Sequence, residues 1–280
     1  MAHHFISVAE GDVHVVEWAP PEGARGLPVV LVHGFMQTAE SWEEFAEALA
    51  RSGKRVLALD ARGHGKSLWS KSGNYGREAA IQDIKDVLVF FQITQCLLVG
   101  MSMGAAVSAS FTVQHPSCVA KLVLVDWAPF PDDKPPQGVE RIAMMFMREW
   151  ASFGEAVEEV VMSNPRRTRS NVHARLLHQL RRKDDGTWTW AVDPGMMAGM
   201  MERSKEPPKV MWLSLKQLRC PCLLVRGAQS DILSEAQAAR CQRELGVACA
   251  VVADAGHSVA GDNPAGFFAA TAPFLEGSKL

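Results

Sequence analysis

The sequence lacks the features that mark several classes of protein. Its 29 basic and 31 acidic side chains leave a formal charge of −2, too little to attract nucleic acids or anionic membranes. Its longest apolar runs, such as 28–32 and 122–125, are far shorter than the ~20 residues of a membrane-spanning helix. The N-terminus has no charged region followed by an apolar stretch. We expect a cytoplasmic protein that binds neither nucleic acid nor membrane.

The six cysteines include no C-x-x-C pair, and a chain of this size needs no disulfides to form a core. We expect them to be reduced. With 48% apolar and 21% charged residues among 280, the composition is that of a folded protein with one enlarged domain.

Short β-branched runs recur along the chain, and several are continuously apolar, as in parallel strands that helices cover on both faces. We predict strands at 13–18, 28–32, 55–59, 96–99, 121–125, 222–225 and 250–252. Amphipathic patterns between them predict helices at 42–49, 77–91 and 238–245, with capping boxes at Ser41/Glu44 and Ser234/Gln237. This alternation predicts a doubly wound α/β sheet whose site lies beyond the carboxyl ends of its strands.

One interval, 127–221, is much longer than a crossover between strands requires, and it holds nine of the thirteen methionines. We predict a helical cap at 130–213, inserted in a core formed by 1–129 and 214–280. The methionines and tryptophans are either ordinary core or the lining of an apolar pocket. Candidate substrate-binding residues are Met36, Trp127, Met144, Trp190 and Met197. The arginines of 166–182 form either a solvated helix face or a site for an anionic substrate.

The pattern Gly-x-Ser-x-Gly at 100–104 follows an apolar strand and precedes a helix of small residues. Such a turn exposes Ser102 beside a helix N-terminus, and the flanking glycines avoid clashes with neighbouring backbone. The alternative is a turn without reactivity.

A serine nucleophile needs a base and a carboxylate that orients the base. His257, in the loop after the last predicted strand, is the candidate base. Ser102, Asp231 and His257 follow the chain order Ser, Asp, His, and Asp231 is the preferred acid because its loop adjoins the strand that leads to His257. Asp126, at the end of the strand 121–125, is the alternative acid.

Together, Gly100–Gly104, His33-Gly34-Phe35, the segment 60–67 and Gly256-His257 resemble the capped enzymes of the α/β-hydrolase fold. The resemblance extends over almost the whole chain and implies a mostly parallel, eight-stranded sheet with the cap after strand six. It also implies an oxyanion hole formed by the backbone N–H groups of Phe35 and Met103. Ala105 departs from relatives that carry another glycine after the serine turn, which affects packing only.

Other motifs fail. Gly65-Lys66-Ser67 lacks the earlier glycine of a phosphate-binding loop, and Leu68 stands where a dinucleotide fingerprint requires glycine. His173 and His178 lie five residues apart, which does not place them on one helix face for a metal ion. We therefore expect no cofactor and no metal.

These observations favour a serine esterase or lactonase that acts on a mainly apolar small molecule through an acyl-enzyme on Ser102. An aspartate nucleophile is excluded at this position. A thioesterase or a carbon–carbon bond hydrolase would use the same residues, and a low-turnover receptor of the same fold is a further alternative. Either a monomer or a homodimer is compatible with the sequence.

Overall fold

The computed structural model describes residues 1–129, 137–197 and 208–277. Over these residues the strands are β1 (Ala2–Val8), β2 (Gly11–Trp18), β3 (Val29–Val32), β4 (Val56–Leu59), β5 (Cys96–Met101), β6 (Val119–Val125), β7 (Leu180–Arg182), β8 (Trp188–Trp190), β9 (Cys222–Gly227) and β10 (Ala248–Val252). The helices are α1 (Glu43–Arg51), α2 (Arg77–Phe90), α3 (Met103–Gln114), α4 (Gln137–Phe146), α5 (Phe153–Ser163), α6 (Arg169–Gln179), α7 (Pro208–Leu215), α8 (Glu235–Leu245), α9 (Val259–Asp262) and α10 (Pro264–Glu276). A short 3₁₀ helix, Ala39–Trp42, precedes α1.

Eight strands form one sheet in the order β1-β2-β4-β3-β5-β6-β9-β10. β2 is antiparallel to its neighbours β1 and β4, and the remaining pairs of the sheet are parallel. The doubly wound, mostly parallel, eight-stranded sheet is thus confirmed. Every strand predicted from an apolar run is present. The prediction from apolar runs missed β1 of this sheet, because β1 is an edge strand whose residues are mostly exposed.

Helices cover both faces of the sheet. Consecutive residues of a strand point to opposite faces, so each strand contributes side chains to both buried clusters. Val30 and Val32 of β3 belong to a buried cluster that includes residues of α2, α3 and α8. Val29 and Leu31 belong to the opposite cluster, with residues of α1 and α10. The three predicted helices are present. The Ser234/Gln237 capping box begins α8, whereas Ser41 pairs with Thr38 in a box that begins the 3₁₀ helix.

The long interval between β6 and β9 contains α4 to α7 and the two-stranded ribbon of β7 and β8. Its own buried cluster includes Phe146, Trp150, Leu176 and Trp190. Trp212 of α7 instead packs in the cluster beneath the sheet, so the last helix of the interval contacts the core. The division into a core and a separate cap remains a prediction.

Among the described residues, the helices are all too short or too polar to span a lipid bilayer.

Candidate active site

Ser102 lies in the sharp turn between β5 and α3, in a backbone conformation that side chains rarely adopt (φ 51°, ψ −114°). Both flanking glycines are required by close packing. A Cβ on Gly100 would lie 2.5 Å from the Gly104 carbonyl oxygen, and one on Gly104 would lie 2.3 Å from the Val32 carbonyl oxygen. The turn therefore matches the geometry that the Gly-x-Ser-x-Gly pattern predicts.

His257 lies in the loop between β10 and α9, with its side chain 13% exposed. Its Nε2 is 3.0 Å from Ser102 Oγ, and its Nδ1 is 2.8 Å from Asp126 Oδ2. An ionised carboxylate only accepts hydrogen bonds, so the neutral imidazole carries its proton on Nδ1 and donates it to Asp126. Nε2 is then left to accept the Ser102 hydroxyl proton.

Asp126 directly follows β6 and is fully buried. The backbone of Asp126 has a positive φ of 48°, so the chain turns sharply where the strand ends. Oδ1 accepts a hydrogen bond from the Gly227 N–H at 3.1 Å, and Oδ2 accepts one from the Ser230 hydroxyl as well as from His257. These donors compensate the carboxylate for the water it lost on burial.

The structure corrects the preferred choice of acid, because Asp231 does not contact His257. The Asp231 side chain is 43% exposed and forms a bidentate ion pair with Arg141 of α4, the closest contact being 2.8 Å. Asp231 lies four residues beyond the end of β9, whereas Asp126 lies at the very end of the neighbouring strand β6. The position that His257 reaches is therefore occupied by Asp126.

Ser230 is a site residue that the sequence did not indicate. Its hydroxyl donates to Asp126 Oδ2 and accepts from the N–H groups of Ile232 and Leu233, both at 3.1 Å. The loop after β9 thus contributes a hydroxyl that holds the acid, rather than the acid itself. A serine beside a candidate aspartate is too common in loops to have signalled this role.

The loop after β3 brings backbone close to Ser102. A Cβ on Gly34 would lie 3.4 Å from Ser102 Cβ. The Gly34 carbonyl accepts a hydrogen bond from His33 Nδ1 at 2.7 Å, and His33 Nε2 accepts the Ala61 N–H at 2.9 Å. Burial lowers the pKa of His33, which suits the neutral ring that these two bonds require.

This arrangement fixes the peptide that joins Gly34 and Phe35. In a trans peptide the C=O and N–H groups point in opposite directions, so the carbonyl held by His33 directs the Phe35 N–H away from that ring. Met103 is the first residue of α3, where an N–H has no acceptor within the helix.

A cavity of about 340 Å³ opens beside Ser102 and His257. Its apolar lining includes Phe35, Met36, Ile142, Met145, Val160 and Trp190, and its polar lining includes Arg141, Arg166, Arg167, Gln229, Asp231 and Asp262. The cavity therefore has both apolar and charged lining residues.

Two of the five candidate substrate-binding residues, Met36 and Trp190, line this cavity. The other three candidates do not. Trp127 lines a separate small apolar space near α8, Met144 is 66% exposed on α4, and Met197 packs against the cluster between β6 and β9. Met145, one residue from Met144, takes the inward position because adjacent helix residues face different directions.

The arginines of the interval divide between the two interpretations that the sequence left open. Arg166 and Arg167 line the cavity and form ion pairs with Asp262 at 3.3 and 2.7 Å. Arg169 pairs with Glu158 on an exposed face. Burial acts to raise the pKa of Asp262, but Arg167, Asn164 and the Gly256 N–H outweigh it, and the net pKa is lowered.

Residues 29–271 match the family described as "Alpha/beta hydrolase family". The chain is 28% identical over 270 residues to the esterase Rv0045c of Mycobacterium tuberculosis, covering 92% of this chain and 84% of that protein. It is 39% identical over 107 residues to the sn-1-specific diacylglycerol lipase ABHD11 of Xenopus laevis, covering 38% of this chain and 34% of the lipase. An α/β hydrolase structure from Novosphingobium aromaticivorans superposes with a TM-score of 0.84 at 24% identity, with 98% of each chain covered, and shows the shared fold.

Proposed function

Because this chain belongs to the alpha/beta hydrolase family, we propose that it is a serine hydrolase that cleaves carboxylic esters or lactones. The observation that carries the proposal is the chain of hydrogen bonds from Ser102 through His257 to Asp126 beside an open cavity. The similarity over most of both chains to the esterase of Mycobacterium tuberculosis supports the same reaction class.

In the acylation step, Ser102 Oγ attacks the ester carbonyl carbon while His257 Nε2 takes the hydroxyl proton. The buried Asp126 carboxylate holds the imidazolium that forms. When the tetrahedral intermediate collapses, His257 donates its proton to the leaving oxygen. The alcohol departs, and an acyl-enzyme remains on Ser102.

We place the oxyanion between the N–H groups of Phe35 and Met103. The held Gly34 carbonyl and the position of Met103 at the start of α3 leave both groups oriented for this role. Each such donor is worth about 3–4 kcal/mol of transition-state stabilisation in other serine hydrolases.

In the deacylation step, water replaces the alcohol. His257 removes a proton from the water as its oxygen attacks the acyl carbon, and then returns that proton to Ser102 Oγ. The products are a carboxylic acid and the free enzyme. A lactone gives a single hydroxy acid, because its acyl and alcohol parts remain joined.

We assign the described residues of 130–213 to a cap over the site. The helix α7 is the exception, because it contacts the core. Met145 and Trp190 come from this segment and line the cavity with Phe35 and Met36. This apolar lining suits a mainly apolar substrate. The arginines of the lining would bind its more polar end.

A panel of p-nitrophenyl esters and a fluorophosphonate probe tests the reaction class. We expect ester turnover, and covalent labelling of one serine by the probe. Ser102→Ala should abolish both, with a fall in kcat of the order of 10⁴-fold or more. Absence of turnover and of labelling in the wild-type protein would reject the hydrolase in favour of a receptor of the same fold.

Ser163→Ala is the matched control. Ser163 lines the same cavity, but its hydroxyl donates to the Val160 carbonyl at 3.0 Å rather than to a histidine. Turnover and labelling should persist in this variant. Acyl-thioester and diketone substrates, assayed beside the esters, separate the esterase from a thioesterase or a carbon–carbon bond hydrolase.

A further inference from the structure

A second cluster of chemically reactive side chains lies at the antiparallel edge of the sheet. His3 in β1 and His14 in β2 lie on the same sheet face, because His3 pairs with Val16 and His14 is two residues before Val16. Their Nδ1 and Nε2 atoms are 2.9 Å apart. A carboxylate oxygen of Glu40, from the 3₁₀ helix, completes a group in which all three ligand atoms lie within 4.8 Å of one another.

We propose that His3, His14 and Glu40 form a binding site for one divalent transition-metal ion such as Zn²⁺. Two imidazole nitrogens and one carboxylate oxygen are a common ligand set for zinc. Ligand atoms in a tetrahedral zinc site are separated by about 3.4 Å, so only small side-chain movements are needed to bring these three to bonding distance.

The surroundings of His14 favour this role. His14 is fully buried, and its Nδ1 is 2.8 Å from Asp60 Oδ2. Asp60 also accepts the N–H groups of Ala39 and Lys66, which mark it as a hydrogen-bond acceptor. His14 therefore keeps its proton on Nδ1, facing Asp60, and leaves the Nε2 lone pair for a metal. A carboxylate that fixes a ligand histidine in this way is typical of metal sites.

Binding requires no net loss of protons from His3. The Nδ1–H of His3 now donates to His14 Nε2, and a metal ion replaces this bond when the His3 proton moves to its own Nε2.

The local charge also favours a cation. Glu40 and Asp60 are buried carboxylates, and the facing groups are Lys66, 3.3 Å from Glu40 Oε1, and His178, 3.7 Å from the same atom. Lys66 is 52% exposed and free to turn into solvent when the ion enters. His178 is outside the group of three ligands, so water would take the fourth position of a tetrahedral site. None of these groups lines the cavity beside Ser102.

Sequence spacing predicted no metal site, because the three ligands come from distant segments and only the pairing of β1 with β2 brings the histidines together. His4 provides a matched control. It adjoins His3 but faces the other side of the sheet, where its Nε2 bonds Glu17 at 2.8 Å.

The test is calorimetric titration of the chelator-treated, tag-free protein with Zn²⁺, together with visible absorption of the Co²⁺ form. We expect one ion per chain and a four-coordinate Co²⁺ spectrum in the wild type and in His4→Ala. His3→Ala and Glu40→Gln should each weaken binding at least about tenfold. His257→Ala should bind as the wild type does.

Absence of wild-type binding, equal affinity in His3→Ala, or loss of the ion in His257→Ala would overturn the proposal. His3 is exposed, so its replacement leaves the fold intact. Thermal unfolding of the metal-free variants verifies this point. The Co²⁺ spectrum reports the ligands directly and does not depend on esterase activity.

Discussion

Two aspartates at neighbouring strand ends, Asp126 and Asp231, show that position within a fold decides which role the same side chain takes. Asp126 follows β6 directly, is fully buried, and accepts hydrogen bonds from a backbone N–H, a serine and the histidine. Asp231 is 43% exposed, and its partner is an arginine on the segment between β6 and β9. The same side chain thus orients an imidazole in one place and pairs with a surface cation in the other.

The largest expected difference follows from removing each charge in turn. Asp126→Asn should lower kcat by about 10⁴-fold, because an amide no longer stabilises the imidazolium and permits the wrong tautomer of His257. Asp231→Asn should change kcat by less than about threefold, since its loss leaves the imidazole contacts in place. Steady-state hydrolysis of the best p-nitrophenyl ester measures both.

Comparable losses in the two variants, or a larger loss in Asp231→Asn, would contradict the assignment of the acid. Asp126 is buried, so the folded state of its variant needs checking by circular dichroism. Fluorophosphonate labelling of the folded Asp126→Asn protein gives a second readout, which should be slowed in parallel with kcat.

The preference for Asp231 followed from its loop, which adjoins the strand that leads to His257, and its failure has a physical cause. The neighbouring strands determine which loops meet at the edge of a parallel sheet, but not which side chain of a loop reaches inward. Here the turn at Asp126, with φ 48°, directs the carboxylate at the edge that β6 shares with β9. A backbone angle of this kind is not visible in the sequence.

The elements that were predictable depend on local patterns. Continuous apolar runs identified the buried strands, and the spacing of glycines around Ser102 predicted a turn that the packing of Gly100 and Gly104 confirms. The residues lining the cavity were harder to predict. Met144 and Met145 have the same chemistry, and only the rotation of α4 decides that Met145 faces the cavity.

A third carboxylate, that of Asp262, has no role in the proposed reaction, so its replacement measures what a buried charge contributes to the free energy of unfolding. The side chain of Asp262 is only 1% exposed, but its partners are Arg166, Arg167 and Asn164 of the segment that faces the core. Asp262→Asn should lower the free energy of unfolding by about 3–5 kcal/mol, because it leaves Arg167 without its buried counter-ion. Chemical denaturation at pH 7 measures this difference.

The pH dependence checks the cause. The folded-state pKa of Asp262 is lowered, so its contribution is fully present above the ordinary aspartate pKa and is lost as the pH falls through the lower value. The stability difference between the wild type and Asp262→Asn should therefore shrink below about pH 4. A difference that is constant from pH 7 to pH 3 would indicate lost packing rather than lost charge.

A smaller effect on kcat is expected from the loss of the Ser230 hydroxyl, which donates a hydrogen bond to Asp126. Ser230→Ala removes one donor to the carboxylate and should lower kcat by about tenfold, since a hydrogen bond to a charged group contributes about 1.5–3 kcal/mol. Ser230→Thr keeps the hydroxyl and should restore kcat, whereas an equal loss of kcat in Ser230→Thr would assign Ser230 to loop structure alone.

The smallest effect is expected at the ion pair between Arg141 and Asp231, and it tests the other half of the comparison. These side chains are 52% and 43% exposed, so water and salt screen their attraction. A double-mutant cycle with Arg141→Met and Asp231→Asn should give a coupling free energy below about 1 kcal/mol, which added salt reduces further.

Because both residues line the cavity, KM for an ester with an anionic end should rise in Arg141→Met and fall in Asp231→Asn. A coupling of several kcal/mol, or a matching loss of kcat for neutral esters, would show that this exposed pair supports the site as the buried aspartate does, and the contrast between the two strand ends would fail.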